Sequence, residues 1–304
     1  MSTQFGITFA FIYGIEKRKE GFYMLVTMKE ILVKAKEEGY GVPAPNAENE
    51  LNVRAYIEAA ESLNSPLIIG SVSTANPNMY DYGRIVTDLA RQAKIPVAFN
   101  LDHSRTFEAA IMGIRSGFTS IMVDRSELPY EENVLQVKEL VRIAHSVGVS
   151  VEAELGHVGR GDNYDVDGVS NYTSPKDAVR FVEETGIDAL AVAIGTAHGV
   201  YSGTPKLQFE LLQEIRDAVS VPLVLHGGSG TGDDNISKAC KLGINKVNLS
   251  TDMKYAAVKN MGRIYPIGAP GSEKPFSFWK LLQEGFRNEL LHYIKVTGSE
   301  GKAL

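Results

Sequence analysis

Ala189-Leu-Ala-Val-Ala-Ile-Gly-Thr-Ala-His-Gly199 runs six apolar residues of strand length straight into glycine, threonine and histidine. A strand apolar on both faces has to be covered on both, which is the condition of a parallel sheet flanked by helices. What precedes it agrees. Pro175 stands near the start of a 3.6-periodic segment through Ala178, Phe181 and Val182, where its missing N–H is harmless, and Gly186 follows that segment as a C-terminal cap does. The same unit repeats along the chain. Short β-branched runs fall at Gly41–Ala47, Pro66–Val72, Pro96–Leu101, Ser120–Val123, Ser150–Leu155, Ala189–Ile194, Pro222–Leu225 and Lys246–Leu249, each leading through a polar or Gly-rich turn into a helical pattern. Eight such strand-then-helix units predict an α/β fold of the (β/α)8 TIM-barrel type. An open doubly wound sheet is the structural alternative, but its G-x-G-x-x-G fingerprint is absent. Beyond Asp252 the stretches Met253–Met261 and Ser277–Val296 predict extra C-terminal helices. The expected organisation is a single catalytic domain over residues 24–297 with a frayed tail at 298–304. Residues 1–23 read as an N-terminal extension outside the fold, either dispensable or an artefact of start-codon choice.

Composition narrows the function. Lys and Arg total 31 against 37 Asp and Glu, a formal net charge of −6, so no chain-wide attraction for nucleic acid or anionic membrane is supported. The aromatics are dispersed rather than interleaved with basic residues, so no platform for single-stranded nucleic acid is expected. No apolar run approaches the ~20 residues needed to span a bilayer. Phe5–Ile15 lacks a basic leader and is not read as a signal peptide. The lone cysteine, Cys240, excludes an intrachain disulfide and a Cys-cluster zinc site, and suits the cytoplasm.

In such a fold the chemistry gathers where strands end. Here those ends read Asn100-Leu-Asp-His103, Asp124-Arg-Ser126, Glu152-Ala-Glu-Leu-Gly156, Gly195-Thr-Ala-His-Gly199, His226-Gly-Gly-Ser229 and Asn248-Leu-Ser-Thr251. His103, His198 and His226, three of the six histidines, occupy the third, sixth and seventh ends. Neutral imidazoles converging from separate strands make a divalent transition-metal site with a fourth position open for substrate. The turn His226-Gly-Gly-Ser-Gly-Thr-Gly232 opens a helix after a buried strand, an arrangement that offers backbone N–H groups to a phosphate. It is neither a Walker loop nor a nucleophile elbow. Asp102 reads either as a proton-transfer acid or as a supporting or capping carboxylate, and adjacent strand positions face opposite sides, so the strand must bend or end there if Asp102 and His103 share one site. Asp124 and Glu154 are candidates for a second cation position or, alternatively, partners of Arg125 or Arg105. Gly156–Tyr172 lacks periodicity and is read as a long loop over the site.

These strand ends resemble the class II, metal-dependent fructose-bisphosphate and tagatose-bisphosphate aldolases. The resemblance covers most of residues 41–255 and is carried by Asn100-Leu-Asp-His-Ser104, Gly117–Asp124, Pro129-Tyr-Glu-Glu-Asn133, Val151–Gly156, Ala189–Gly199 and Pro222–Gly230. It implies that His103, His198 and His226 bind catalytic Zn2+, that Asp102 transfers the proton, and that Asp124 and Glu154 hold a second divalent or monovalent cation. It implies further that Gly199, Gly227, Gly228, Ser229, Asn248, Leu249, Ser250 and Thr251 bind the dihydroxyacetone phosphate half of a ketose bisphosphate. Asp162 falls where the family has the loop glutamate that deprotonates substrate, and Arg160 where it has glycine. Asp124-Arg-Ser-Glu127 replaces the usual Asp-Gly-Ser, and Gly70-Ser-Val-Ser73 has no clean equivalent of the phosphate-contacting serine. The expected partners are a small phosphorylated sugar and further copies of the chain, as a dimer or tetramer. A Schiff-base route is disfavoured, because the interior runs carry no lysine except Lys246, taken to lie at the mouth of the eighth strand. Two rivals stand: a metal-dependent epimerase or isomerase of phosphosugars, and a catalytically idle barrel serving as a partner subunit.

Overall fold

A computed structural model describes residues 24–159, 172–201, 203, 205–264 and 275–303. The expected extension at 1–23 and most of the loop after Gly156 lie outside the described residues.

All eight anticipated strands form: β2 (Val42–Pro45), β3 (Leu67–Val72), β4 (Val97–Ser104), β5 (Ser120–Val123), β6 (Ser150–Leu155), β7 (Ala189–Val192), β8 (Leu223–Leu225) and β9 (Ile244–Leu249). A two-residue strand that sequence reading missed, β1 (Leu25–Val26), precedes them and pairs with the start of β4. Helices follow each long strand in turn: α2 (Glu50–Ser62), α3 (Met79–Gln92), α4 (Phe107–Arg115), α5 (Tyr130–Ser146), α6 (Pro175–Thr185), α7 (Phe209–Ala218), α8 (Asp233–Leu242) and α9 (Thr251–Ile264). Two further helices, α1 (Met28–Glu38) and α10 (Pro275–Thr297), bracket this series.

Every strand pair is parallel, and the ladder is continuous from β3 through β4 to β9 and on to β2. The sheet is TIM-barrel-like, but it is not the evenly closed ring that the eight-unit rhythm suggested. Between β2 and β3 there is one bridge, Asn46 to Gly70, with the Ala47 N–H donating to Gly70 O at 2.8 Å. The cause is in the sequence. The Asn46 N–H points to Leu249 O on β9 and the Ala47 N–H to β3, so alternation turns positions 43 and 45 toward β3 as well. Both are proline, and neither has an N–H to give.

Alternation also divides the core. Leu67, Ile69, Val97, Phe99, Ile121, Val123, Leu190, Val192, Leu223 and Leu225 pack outward with the helices. Val42, Ala44, Ile68, Ala98, Met122, Ala189, Ala191 and Val224 form a separate inner cluster, into which α1 inserts Met28, Ile31, Leu32 and Ala35. Thr27 starts α1 with a capping box: its hydroxyl accepts from the Glu30 N–H, and its own N–H donates to the Glu30 carboxylate. The Met28 N–H then donates to Ser120 Oγ at 2.8 Å, holding α1 across the strand N-termini. The inner cluster is thus filled from below, which leaves the strand C-termini for polar residues.

Residues 299–303, expected within a frayed tail, are hydrogen-bonded to the body of the fold. The N–H groups of Gly301 and Ala303 donate to Leu63 O and Asn64 O, and Ser299 is fully buried against Ser65. Among the described residues no helix is long and apolar enough to cross a membrane.

Candidate metal centre and anion pocket

The inward series begun by the apolar cluster continues upward into polar groups. Above Ala98 come Asn100 and Asp102, above Ser150 come Glu152 and Glu154, and above Val224 comes His226; Lys246 and Asn248 take the matching places on β9. All of these side chains are buried. His103 should face outward by this count. Instead the β4–β5 register shifts between Leu101 and Ser104, and His103 adopts φ +48°, a left-handed value rare outside glycine. The bulge is the bend that a shared site for Asp102 and His103 requires.

The three histidines meet. His103 Nε2 lies 3.2 Å from His198 Nε2, which lies 3.4 Å from His226 Nδ1. Each ring has an oxygen acceptor at its other nitrogen: Asp124 Oδ2 at 2.8 Å for His103 Nδ1, Val158 O at 3.2 Å for His198 Nδ1, and Glu152 Oε1 at 2.8 Å for His226 Nε2. Donating those N–H groups outward would leave each ring a lone pair to offer a metal at the centre. Zinc–nitrogen bonds of about 2.0–2.1 Å at tetrahedral angles set ligand nitrogens about 3.3 Å apart. The donor set therefore fits a zinc ion in chemistry and in spacing.

The field around the cluster is divided. Burial, reinforced by His226 and His103, pushes His198 down to about 3. Burial would lower His103 too, but Asp102, Asp124 and Glu154 outweigh it and raise the ring to about 9. Asp102 and Asp124 are held well below the usual carboxylate range; burial opposes this, and His103 foremost overcomes it for both. The carboxylates thus draw positive charge into the cluster.

His103, Asp124 and Glu154 form a second group able to hold a cation. Glu154 Oε1 accepts from the Val158 N–H at 3.0 Å, while its buried Oε2 has no hydrogen-bond partner among the described residues, and burial raises the carboxyl. Of the alternative arginine partners, Arg105 Nε stands 3.7 Å from Asp124. Arg125 turns away to the backbone oxygens of Ser104 and Asp124 and to Gln136.

Beside the histidines a pocket is lined by Asp102, His198, Gly199, Gly227, Ser229 and Asn248 through Thr251, joined by Asn46. Ser229 Oγ accepts from the N–H groups of Ser250 and Asp252, stitching the loop after β8 to the start of α9. Gly228 does not line the pocket: a Cβ there would meet Val247 Cγ1 at 2.5 Å, so its role is close packing on β9. Asp162 and Arg160 lie outside the described residues. Ser71 is buried, donating to Ala47 O at 2.6 Å.

Sequence reading missed three residues. Asn46 donates to Asp102 Oδ2 at 3.1 Å, while Asn248 donates to Oδ1 at 3.1 Å. Glu152 supports His226, and its signal was the Glu-x-Glu spacing that puts it on the same strand face as Glu154. Lys246 does not stand at the mouth. It is fully buried in the interior, pairing in register with Val42 and donating to Glu152 Oε2 at 2.5 Å.

Residues 26–302 match the family described as class II fructose-bisphosphate aldolase. Among solved structures, the YdjI aldolase from Escherichia coli K12 is 36% identical with a TM-score of 0.82, over 92% of this chain and 100% of that one. The fructose-bisphosphate aldolase of Campylobacter jejuni is 25% identical with a TM-score of 0.77, over 96% and 99% of the two chains.

Proposed function

The chain belongs to the class II fructose-bisphosphate aldolase family and is an aldolase, a carbon–carbon lyase; from that premise we propose that it is zinc-dependent and cleaves a ketose 1,6-bisphosphate of the fructose or tagatose type, reversibly, to dihydroxyacetone phosphate and an aldehyde such as glyceraldehyde 3-phosphate. The observation that carries this reading is the convergence of three imidazole rings beside a glycine-lined pocket and the buried carboxylate of Asp102. Zinc held by His103, His198 and His226 supplies a Lewis acid to the substrate carbonyl. Asp124 and Glu154, with His103, are the residues for a second cation.

The rest of the work falls to the chain's own groups. Gly199, Gly227 and Ser229, with Asn248 through Thr251 at the head of α9, anchor the phosphate of the dihydroxyacetone half, which fixes the reacting carbons relative to the histidines. Asp102, its two oxygens held by Asn46 and Asn248, takes the C4 hydroxyl proton in cleavage and returns it to the aldehyde oxygen in condensation. A Schiff base plays no part, since the Lys246 ammonium is engaged by Glu152 below the pocket.

This reading treats the Asn46–Gly70 bridge as the closing seam of a (β/α)8 barrel. It also places the enzyme in the cytoplasm, where the buried thiol of Cys240 stays reduced, as a dimer or tetramer whose size light scattering measures. The deciding assay is release of dihydroxyacetone phosphate from a panel of fructose, tagatose and deoxyketose phosphates, before and after chelation. Two three-carbon products that vanish with the metal are expected. One rearranged sugar, or cleavage indifferent to chelation, overturns the reading.

A further inference from the structure

We infer that Lys246 is a positioning residue for the metal centre, acting through Glu152 on the tautomer of His226; this rests on the zinc reading above. The three side chains come from β9, β6 and the first residue after β8, and form one buried line. Lys246 Nζ donates to Glu152 Oε2 at 2.5 Å, and Glu152 Oε1 sits 2.8 Å from His226 Nε2. The Lys246 side chain is 1% exposed and the other two 0%.

Stability alone does not account for an ion pair in this place. Desolvating two charges is expensive enough that a well-packed apolar pair of similar volume does as well or better, and the surrounding interior is already built of Ala, Val, Ile and Met. What an apolar pair cannot do is choose between the ring nitrogens of His226. A neutral imidazole carries its proton on either one. Only the Nε2–H form leaves the lone pair on Nδ1, the atom 3.4 Å from His198 Nε2. Glu152 enforces that form by accepting at Nε2. A carboxylate with one oxygen unheld is free to rotate away, and Lys246 removes that freedom by taking the other oxygen.

The opposite face of His226 adds a reason for the lock. The Asn248 amide nitrogen lies 3.3 Å from His226 Nδ1 and 3.1 Å from Asp102 Oδ1, so a wrong tautomer would aim an N–H at an amide that is itself a donor. The line from Lys246 thus ends at His226, which Asn248 joins to Asp102. Lys246 does not line the pocket.

The test uses apo and zinc-loaded protein with two variants, K246M and the charge-neutral double variant E152Q/K246M, the second included because K246M strands a buried carboxylate. Circular dichroism selects the conditions in which each is folded. Nitrogen-15 NMR of the imidazoles in the apo protein reads the His226 tautomer, and competition with a chromophoric chelator reads zinc affinity. Wild type is expected to show a single Nε2–H tautomer and one tight zinc. The variants are expected to show mixed tautomers and an affinity lower by about 10- to 100-fold, the range typical of lost outer-sphere partners. A folded variant of either kind that keeps one tautomer and wild-type zinc affinity overturns the role of Lys246. Failure of the wild type itself to bind zinc overturns the reading beneath it instead.

Discussion

Asp102 and His103 are neighbours that must face one centre, and the backbone at His103 yields to make this so, at φ +48°. Holding a non-glycine residue there costs on the order of 1–3 kcal/mol, against which the ring gains its 2.8 Å contact with the Asp124 carboxylate. The two residues nevertheless do separable things. Asp102→Ala leaves all three imidazoles and their acceptors in place, so zinc stoichiometry should be unchanged while turnover falls by about 10²- to 10⁴-fold, the usual worth of a positioned proton donor. Metal analysis and steady-state kinetics on the same preparation check this, and near-normal cleavage would remove Asp102 from the mechanism. His198→Ala should act on the metal first, and lose turnover with it. Its ring is a proposed ligand rather than an acid, so zinc affinity should drop by more than the ~10- to 100-fold of an outer-sphere change; unchanged affinity in a chelator titration would count against ligation. The identities of these residues were legible because His and Asp stand out at strand ends. The bulge that unites them was not, since no residue in Leu101–Ser104 is a glycine or proline that would announce it.

At the scale of the element, the strands were readable because period-two alternation and apolar content are local properties. The seam was not read, although Pro43 and Pro45 were in view, because a proline's cost depends on which neighbour its missing N–H would have faced. Lys246 was misplaced for a related reason: register decides depth, and register is set by partners far along the chain. The β8 loop shows what local signals do carry. Gly227 was chosen as a phosphate contact from its place in a glycine-rich turn, and it has φ +67° with the Ala197 carbonyl oxygen 2.2 Å from where a Cβ would stand. Gly227→Ala therefore meets both a left-handed backbone and a clash with main chain. A loss of about 1–3 kcal/mol is expected, read as a lower denaturant midpoint, together with a raised KM for the ketose phosphate. A variant with wild-type midpoint and KM would mean that the loop is looser than its geometry.

For the whole molecule, the question is what holds the curled sheet and its helices together beyond the strand ladder. One answer is the C-terminal segment. Hydrogen bonds from Gly301 and Ala303 to residues 63 and 64, and from Gly41 to Thr297 O, fasten α10 and the tail to the β2–β3 side. Deleting residues 298–304 removes a few such bonds at about 1 kcal/mol each, so a stability loss of about 2–3 kcal/mol is expected with zinc affinity untouched. The other answer is the metal. Its three proposed ligands stand at the end of β4, beyond β7 and just after β8, so one ion would clip segments that are more than 90 residues apart in the chain between His103 and His198. An ion that binds only the folded state at 1,000 times its Kd adds about 4 kcal/mol, which for a domain of this size moves Tm on the order of 10 °C. Zinc should raise Tm by about that amount, a chelator should reverse it, and His198→Ala should abolish the shift while leaving the apo Tm nearly unchanged. A Tm indifferent to zinc in the wild type would show that the three rings do not act as a clasp, since ligation of the native state cannot occur without stabilising it.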